Sequence, residues 1–256
     1  MTGGGGLRRG GLTLLLACAC GALPAALPPL VWPTPNRAWL DGRGIAEYIQ
    51  PTVSGDPASG LFGGWRSGGN QFHGGVDLLP VSRDARGEAA DPVFAAMPGV
   101  VRHTNTRAGD SSYGRYIVIE HTGTEPAALT LYAHLAAVSV APGDVVKAGQ
   151  VVGKMGRSAG GYSIPRERAH LHFEICLRLT DNFQAWYDRQ KFGSPNKHGV
   201  WNGLNMARLD PLAFLNACRE GRTRGLAEWL RGMEEAARVR VAAARTPDFV
   251  TRYPAL

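Results

Sequence analysis

The stretch Val140-Ala-Pro-Gly-Asp-Val-Val-Lys-Ala-Gly-Gln-Val-Val-Gly153 decides the fold class of this chain of 256 residues. It contains two valine pairs, the first preceded by Pro-Gly-Asp and the second by Ala-Gly-Gln, which are turn-forming groups. Short pairs of β-branched residues between turns are typical of strands, because a helix requires an apolar face that continues over ten or more residues. We therefore predict that this stretch folds as a tight β-hairpin.

Short apolar runs with turn residues between them continue on both sides of this stretch. The 34 glycines and 17 prolines are spread through the chain, which suits many short strands joined by turns. We predict a mainly β fold, with antiparallel sheets in a compact barrel-sandwich-like domain. The predicted strands are residues 93–96, 100–103, 116–120, 129–134, 145–152 and 171–177.

The composition changes after Leu215, where Ala, Arg, Glu and Leu dominate residues 216–245. Apolar residues recur there at spacings of three and four, which predicts an amphipathic helix. We expect a C-terminal helical extension over residues 216–256. It either packs on the β domain with its arginine face in solvent or binds a membrane or wall surface.

The N-terminal segment has the layout of a secretory signal. The Arg8-Arg9 pair precedes an apolar stretch, 12–20, which is followed by small residues and then by prolines. That stretch is too short for a permanent membrane span, which requires about 20 apolar residues. Two outcomes of processing remain open: lipidation at Cys18, or cleavage after Ala22 or Ala26. Either one predicts export to the periplasm or cell envelope, as a soluble protein or as a lipoprotein anchored in the membrane.

The net charge of +7 and the pI near 9.5 favour an anionic partner, such as nucleic acid, acidic lipid or a cell wall rich in carboxylates. No run of Arg or Lys is interleaved with stacking aromatics, so we expect no nucleic acid partner. Beyond the signal segment the chain contains Cys176 and Cys218. A disulfide between them is permitted, but their spacing favours two buried thiols.

Five chemically important side chains fall in three short segments: His73-Gly-Gly-Val-Asp77, the strand end at His134, and His170-Leu-His172. The paired glycines make the first segment a loop that enters a strand. In the third segment, residues two apart on a strand face the same side about 6.6 Å apart, so both histidines flank one site.

A catalytic zinc ion requires three protein ligands and one position open to water, and imidazole and carboxylate are suitable donors. His73, Asp77 and one member of the His170/His172 pair supply such a set. No His-Glu-x-x-His segment occurs, which excludes the helical glutamate base of thermolysin-like enzymes.

In combination and order, the segments resemble the lysostaphin and LytM type zinc endopeptidases, which cut peptidoglycan cross-bridges. The resemblance covers about residues 55–180. It is carried by the segments Gly63-Gly-Trp-Arg66, His73 to Asp77, Ala96-Met-Pro-Gly-Val-Val101, Gly114 with Ile117 to His121, Tyr132-Ala-His-Leu135, Gly143 to Gly156, Ser158-Ala-Gly-Gly161 and His170 to Ile175.

The resemblance implies that one Zn²⁺ is held by His73, Asp77 and His172, and that His134 and His170 form the catalytic pair. A neutral histidine can accept a proton from water, and a protonated one can stabilise an oxyanion. Which of the two is the base stays open. The implied partners are the peptide stems of peptidoglycan, cut at a glycine bridge or, as the export signal favours, at a D-alanyl to diaminopimelyl bond.

These observations predict a division of the chain and leave two alternatives. The predicted parts are residues 1–22 (signal or lipoprotein signal), 23–37 (proline-rich linker), 38–215 (zinc metallopeptidase domain with its core at about 55–180) and 216–256 (helical extension).

One alternative function is a catalytically silent wall-binding activator of other hydrolases, although this chain retains all five site residues. The loop 182–202 is either an insertion that shapes the substrate groove or a packed flap. We expect His103, His121 and His198 to be surface or strand residues.

Overall fold

The computed structural model describes residues 1–2, 29–254 and 256. The predicted signal, and with it Cys18, Ala22 and Ala26, lies outside the described residues. Twelve strands occur in the described part of the chain. They are β1 (Trp65–Arg66), β2 (Gln71–Phe72), β3 (Val76–Leu78), β4 (Pro92–Phe94), β5 (Gly99–Asn105), β6 (Tyr116–His121), β7 (Ala128–Ala133), β8 (Ala137–Val138), β9 (Val145–Val146), β10 (Val151–Lys154), β11 (Leu171–Arg178) and β12 (Met206–Leu209).

The strands form three antiparallel sheets, which confirms the predicted mainly β fold. The largest sheet has the order β12-β11-β7-β6-β5-β9, with β3 also paired to β11. A second sheet has the order β4-β10-β8, and β1 pairs with β2. Among the described strands the large sheet stays open, with β12 and β9 at its ends, so the barrel does not close.

The tight hairpin predicted for residues 140–153 is wrong in its pairing. β9 pairs with β5 in the large sheet, whereas β10 pairs with β4 and β8 in the second sheet. The Ala148-Gly149-Gln150 turn therefore carries the chain from one sheet to the other. Gly149 has φ +77°, and its amide donates to the carbonyl of Ala95, which holds this crossing in place.

Both faces of the large sheet are buried, which explains the continuous apolar sequences of β6 and β7. Ile117 and Ile119 of β6 face the main core, shared with Phe173 of β11. Tyr116 and Val118 face a second cluster on the opposite side, where Trp201 packs against it. The segment that follows β11 thus covers a sheet face.

The N-terminal part of the described body begins before residue 38. Residues 29–37, predicted as part of a linker, run along the second sheet: the amide of Val31 donates to Ala96, and that of Phe94 donates to Pro33. The ring of Trp32 stacks on Trp39 with centroids 4.6 Å apart. Proline excludes a regular helix here, but it does not prevent an extended segment from pairing and packing.

The C-terminal region has three short helices rather than one long one. They are α2 (Pro211–Arg219), α3 (Leu226–Arg231) and α4 (Asp248–Arg252), whereas α1 (Phe183–Gln190) lies in the segment after β11. Glycines at 221, 225 and 232 interrupt the predicted amphipathic pattern, and exposed irregular chain follows the last of them. The helical extension is confirmed, but the continuous helix over 216–245 is wrong. Of the helices in the described chain, none is long and apolar enough to cross a membrane.

The two body cysteines are free thiols, with Cys176 buried and Cys218 half-buried. Burial raises the pKa of the Cys176 thiol well above its usual value and that of Cys218 to about 11. Both groups are therefore protonated at neutral pH. The prediction of a buried thiol is confirmed for Cys176, whereas Cys218 is only half-buried.

Candidate functional site

The loop from His73 to Asp77 lies close to strand β11, and its two glycines make that possible. A Cβ atom on Gly75 would lie 2.4 Å from the carbonyl oxygen of Phe173, closer than any side chain can approach. The His73 amide donates to the carbonyl of Gly64, which anchors the start of the loop. This is the predicted loop that enters a strand, since β3 begins at Val76.

Strand register brings the second and third segments to this loop. His172 on β11 pairs with Asp77 on one side and with Ala133 at the end of β7 on the other. His134 directly follows β7 with a φ of 62°, a left-handed conformation that turns the chain out of the sheet. The three segments therefore meet at one place although they lie far apart along the chain.

His73, Asp77 and His172 are buried and their ligand atoms lie within 4.8 Å of one another. The distance from His73 Nε2 to Asp77 Oδ1 is 3.1 Å, and that from His73 Nε2 to His172 Nδ1 is 3.0 Å. His172 Nδ1 and Asp77 Oδ1 are 2.9 Å apart. The three atoms form a small triangle.

The outward-facing atoms of the same three side chains already have partners. His73 Nδ1 lies 2.7 Å from the carbonyl oxygen of Leu61, and His172 Nε2 lies 2.8 Å from Oε1 of Glu174, so both nitrogens act as donors. Asp77 Oδ2 accepts from Nη2 of Arg66 at 2.6 Å. Two imidazole lone pairs and one carboxylate oxygen are thereby left facing each other. This donor set fits a divalent cation such as Zn²⁺.

Electrostatics also favour a cation at this position. Burial alone would raise the pKa of Asp77, but the adjacent histidines His170, His172 and His73 hold it well below its usual range. Burial alone would lower the pKa of His172, but hydrogen bonds to Asp77 and Glu174 raise it to about 9. His172 therefore carries a proton between two carboxylates at neutral pH unless a metal cation displaces it.

The two remaining predicted residues, His134 and His170, lie beside the triangle with ring centroids 4.9 Å apart. Their Nδ1 atoms donate to the carbonyls of Ser158 and Arg168 at 2.8 and 2.7 Å. Each Nε2 therefore carries a lone pair, and that of His170 lies 3.4 Å from Asp77 Oδ1. Burial lowers the pKa of both rings, that of His134 well below its usual value, so both can accept a proton at neutral pH.

All five residues line one cavity of about 980 Å³, a size typical of ligand clefts. Residues 194–204 after α1 form part of its wall, including Lys197 and His198. Lys197 Nζ lies 2.6 Å from Asp110 Oδ1, and His198 Nε2 lies 2.9 Å from the carbonyl oxygen of Asp110. The loop 182–202 is thus both packed on the sheet and part of the cavity wall.

Residues 71–183 match the family model described as Peptidase family M23. These residues form an M23 peptidase domain. The match includes all five predicted site residues and extends from β2 to the start of α1, so the resemblance to lysostaphin and LytM type peptidases is confirmed. β12 and the C-terminal helices lie beyond it.

Several solved structures are similar to this M23 domain at low identity. The catalytic domain of lysostaphin from Staphylococcus simulans is 24% identical with a TM-score of 0.39, covering 61% of this chain and 89% of that one. A zinc-containing peptidase from Vibrio cholerae is also 24% identical with a TM-score of 0.39, covering 59% and 37%. A LytM from Ruminococcus gnavus, described as a putative glycyl-glycine endopeptidase, is 22% identical with a TM-score of 0.39, covering 61% and 49%. A search of curated protein sequences finds no match to this chain.

The structure adds side chains around the M23 site that sequence reasoning missed. Arg66 pairs with Asp77, and Glu174 accepts a hydrogen bond from His172. Glu174 could have been found, because it lies two residues after His172 and so shares its strand face. Arg66 belongs to the Gly63-Gly-Trp-Arg66 segment of the resemblance, although its role was not predicted, whereas Arg208 reaches the site only through long-range folding and no local pattern marks it.

The prediction of surface or strand residues is confirmed for two of the other three histidines and wrong for His198. His121 is a strand residue with no exposed surface, and His103 is a partly buried one. His198 is buried against His103 and contributes to the cavity wall, so it is neither on the surface nor in a strand.

Proposed function

We propose that this protein is an exported zinc endopeptidase that hydrolyses peptide cross-links of peptidoglycan. The M23 domain provides the peptidase class. The observation that carries the finer proposal is the triangle of His73, Asp77 and His172 atoms, which lies beside two neutral imidazoles in an open cavity.

In this proposal His73 Nε2, Asp77 Oδ1 and His172 Nδ1 hold one Zn²⁺. The ion, when bound, supplies Lewis acidity that lowers the pKa of water and polarises the scissile carbonyl. Arg66 holds the other oxygen of Asp77, so that Oδ1 keeps its orientation.

His134 and His170 form the proposed catalytic pair. Both have Nδ1 committed to a backbone carbonyl, which fixes the ring and leaves Nε2 to exchange a proton. Nε2 of one ring accepts a proton from the attacking water, and the other ring stabilises the oxygen that develops negative charge when its own Nε2 is protonated. The ring that accepted the proton from water can then return it to the departing amine.

For substrate and location we propose the D-alanyl to diaminopimelyl cross-link and the periplasm or cell envelope. The predicted signal and the net charge of +7 support this choice. We keep the proposed extent of the catalytic domain at its core of about 55–180, and we extend the folded body to residue 29 because of the packing of Trp32.

The testing experiment measures zinc and cleavage in the same preparation. We expect purified full-length protein to contain one zinc ion per chain and to release muropeptides from sacculi, with the cut bond identified by mass spectrometry. His172→Ala should lose both properties, because a site with three ligands cannot easily spare one. A protein without zinc or cleavage that still binds sacculi would instead identify a wall-binding activator.

A further inference from the structure

A second cluster of polar side chains lies directly behind the proposed zinc site and centres on Glu174. This carboxylate is only 1% exposed and accepts from Nε2 of His172 at 2.8 Å. The hydroxyl of Tyr113 donates to the same oxygen at 2.7 Å. Arg208 Nε lies 3.2 and 3.3 Å from the two carboxylate oxygens.

Arg208 reaches this position from β12, outside the residues that match the M23 family. Its aliphatic stem covers Gly74, where an added Cβ would lie 1.9 Å from the Arg208 Cδ. Its Nη2 donates to the Tyr113 hydroxyl at 2.9 Å and to the carbonyl of Gly203 at 3.0 Å. One side chain thereby connects the ligand loop, strand β11 and the segment that forms the cavity wall.

Arg208 is the cationic partner of a carboxylate that has almost no exposed surface. Its guanidinium fixes the orientation of the Glu174 carboxylate, and Oε1 of Glu174 accepts the Nε2 proton of His172. An imidazole with its proton on Nε2 presents a lone pair on Nδ1, the nitrogen that faces His73 and Asp77.

We propose that Arg208 is a positioning residue for the metal site: its guanidinium fixes the Glu174 carboxylate, and Glu174 in turn holds His172 with Nδ1 directed at the ion. This inference rests on the proposed function. It adds a residue from beyond the family domain to the zinc site, and it predicts that the strand after the wall segment sets metal affinity.

The test is the zinc dissociation constant of the full-length protein, measured by competition with a chelator of known affinity. Arg208→Met keeps the stem over Gly74 but removes the charge and the donors. We expect zinc binding to weaken about 10-fold to 100-fold, the usual effect of losing a partner that supports a ligand. Arg208→Lys retains the charge and should recover part of the loss.

Arg178→Met is the matched control. Arg178 lies on β11, the strand that carries Glu174; it pairs with Asp181 at 2.9 Å and stacks on Trp201, but it makes no contact with Glu174. We expect its zinc affinity to equal that of the wild type even where its melting temperature falls. Unchanged zinc affinity in folded Arg208→Met, or an equal loss in Arg178→Met, would overturn the inference.

A double-mutant cycle of Arg208 and Glu174 separates a positioning role of Arg208 from simple stabilisation of the fold. In a Glu174→Gln background the carboxylate charge is absent, so adding Arg208→Met should weaken zinc binding by much less than it does alone. Full additivity would contradict the proposed route through Glu174. If Arg208→Met does not fold, Tyr113→Phe takes its place. This variant should weaken zinc binding about fivefold, the effect of one hydrogen bond. Unchanged zinc affinity in Tyr113→Phe would also overturn the inference. Wild-type protein that binds no zinc would instead reject the proposed function itself.

Discussion

At the scale of single residues, Gly75 shows how closely the loop from His73 to Asp77 approaches β11. A methyl group there would lie 2.4 Å from the Phe173 carbonyl and 3.1 Å from Cε1 of His172. We expect Gly75→Ala to lower the free energy of unfolding by about 2 kcal/mol or more and to weaken zinc binding, because the ring and strand must shift. Thermal unfolding and a zinc titration measure the two effects.

Gly44→Ala is the control for that variant. Gly44 has an ordinary negative φ, and an added Cβ would meet nothing within 4 Å. We expect a change within about 0.5 kcal/mol. Equal stability of the two variants would show that the close approach at Gly75 does not constrain the loop.

His134 offers a second prediction at this scale. Its Nδ1 donates to Ser158, and its ring lies beside the triangle without belonging to it. His134→Ala should therefore keep its zinc while losing most of its turnover of cross-linked muropeptides, a loss of about 100-fold or more for a general acid or base. The zinc content and the initial rate of cleavage, measured on the same preparation, test this prediction. Normal turnover by the variant would contradict the proposed role of His134.

Buried His121 makes stability depend on pH. Burial lowers its pKa to about 4, against about 6.5 in an unfolded chain. Above pH 6.5 neither state binds the proton, whereas between pH 6.5 and 4 only the unfolded state does. We therefore expect this group to lower the free energy of unfolding by about 1.4 kcal/mol for each unit by which the pH is lowered from 6.5 to 4.

Urea unfolding at several pH values measures this dependence. His103, whose pKa burial also lowers to about 4, adds a contribution in the same direction. His121→Gln, which cannot titrate, should show a shallower decline between pH 6.5 and 4 than the wild type. Parallel curves would contradict the assignment to His121.

At the scale of secondary structure, the positions of most strands could be predicted far better than their pairing partners. The apolar runs at 116–120 and 171–177 correspond to β6 and β11 within one or two residues. The pairing of β9 with β5 could not be predicted, because it depends on which distant strand offers a free edge. The long C-terminal helix failed for a local reason, since three glycines interrupt its apolar stripe.

The segment between β11 and β12 provides a prediction for one element. Its ion pair between Lys197 and Asp110 is half-exposed, so it adds little to global stability. Lys197→Met should accelerate hydrogen exchange in residues 194–204 while the melting temperature shifts by no more than about 2 °C. Exchange mass spectrometry tests this, and a large global shift would mean that the wall is part of the cooperative core.

At the scale of the whole molecule, the N-terminal segment of the described chain packs on the main hydrophobic core through Trp32. Trp32 is 4% exposed, stacked on Trp39 and edge-on to Tyr48. We expect Trp32→Ala to cost about 3–5 kcal/mol in chemical denaturation, as for other large buried side chains. Trp65→Ala is the matched control, because Trp65 is 72% exposed and its loss should barely change stability.

The sequence predicts the three residues of the proposed metal triangle, but it does not predict Arg208, which holds Glu174 behind them. His73, Asp77 and His172 lie in short recognisable segments, and the structure places all three together. Arg208 is separated from His172 by the entire wall segment, and its position follows only from the pairing of β12 with β11. Local patterns contain no information on such tertiary contacts.

The pairing of Asp77 opposite His172 also acts as a check on correct folding. Side chains alternate between sheet faces, so a slip of β3 by a single position would turn Asp77 to the wrong side of β11. A chain with that error could not assemble the three donors and would stay inert. Only a molecule that has completed its long-range assembly brings the three donor atoms together.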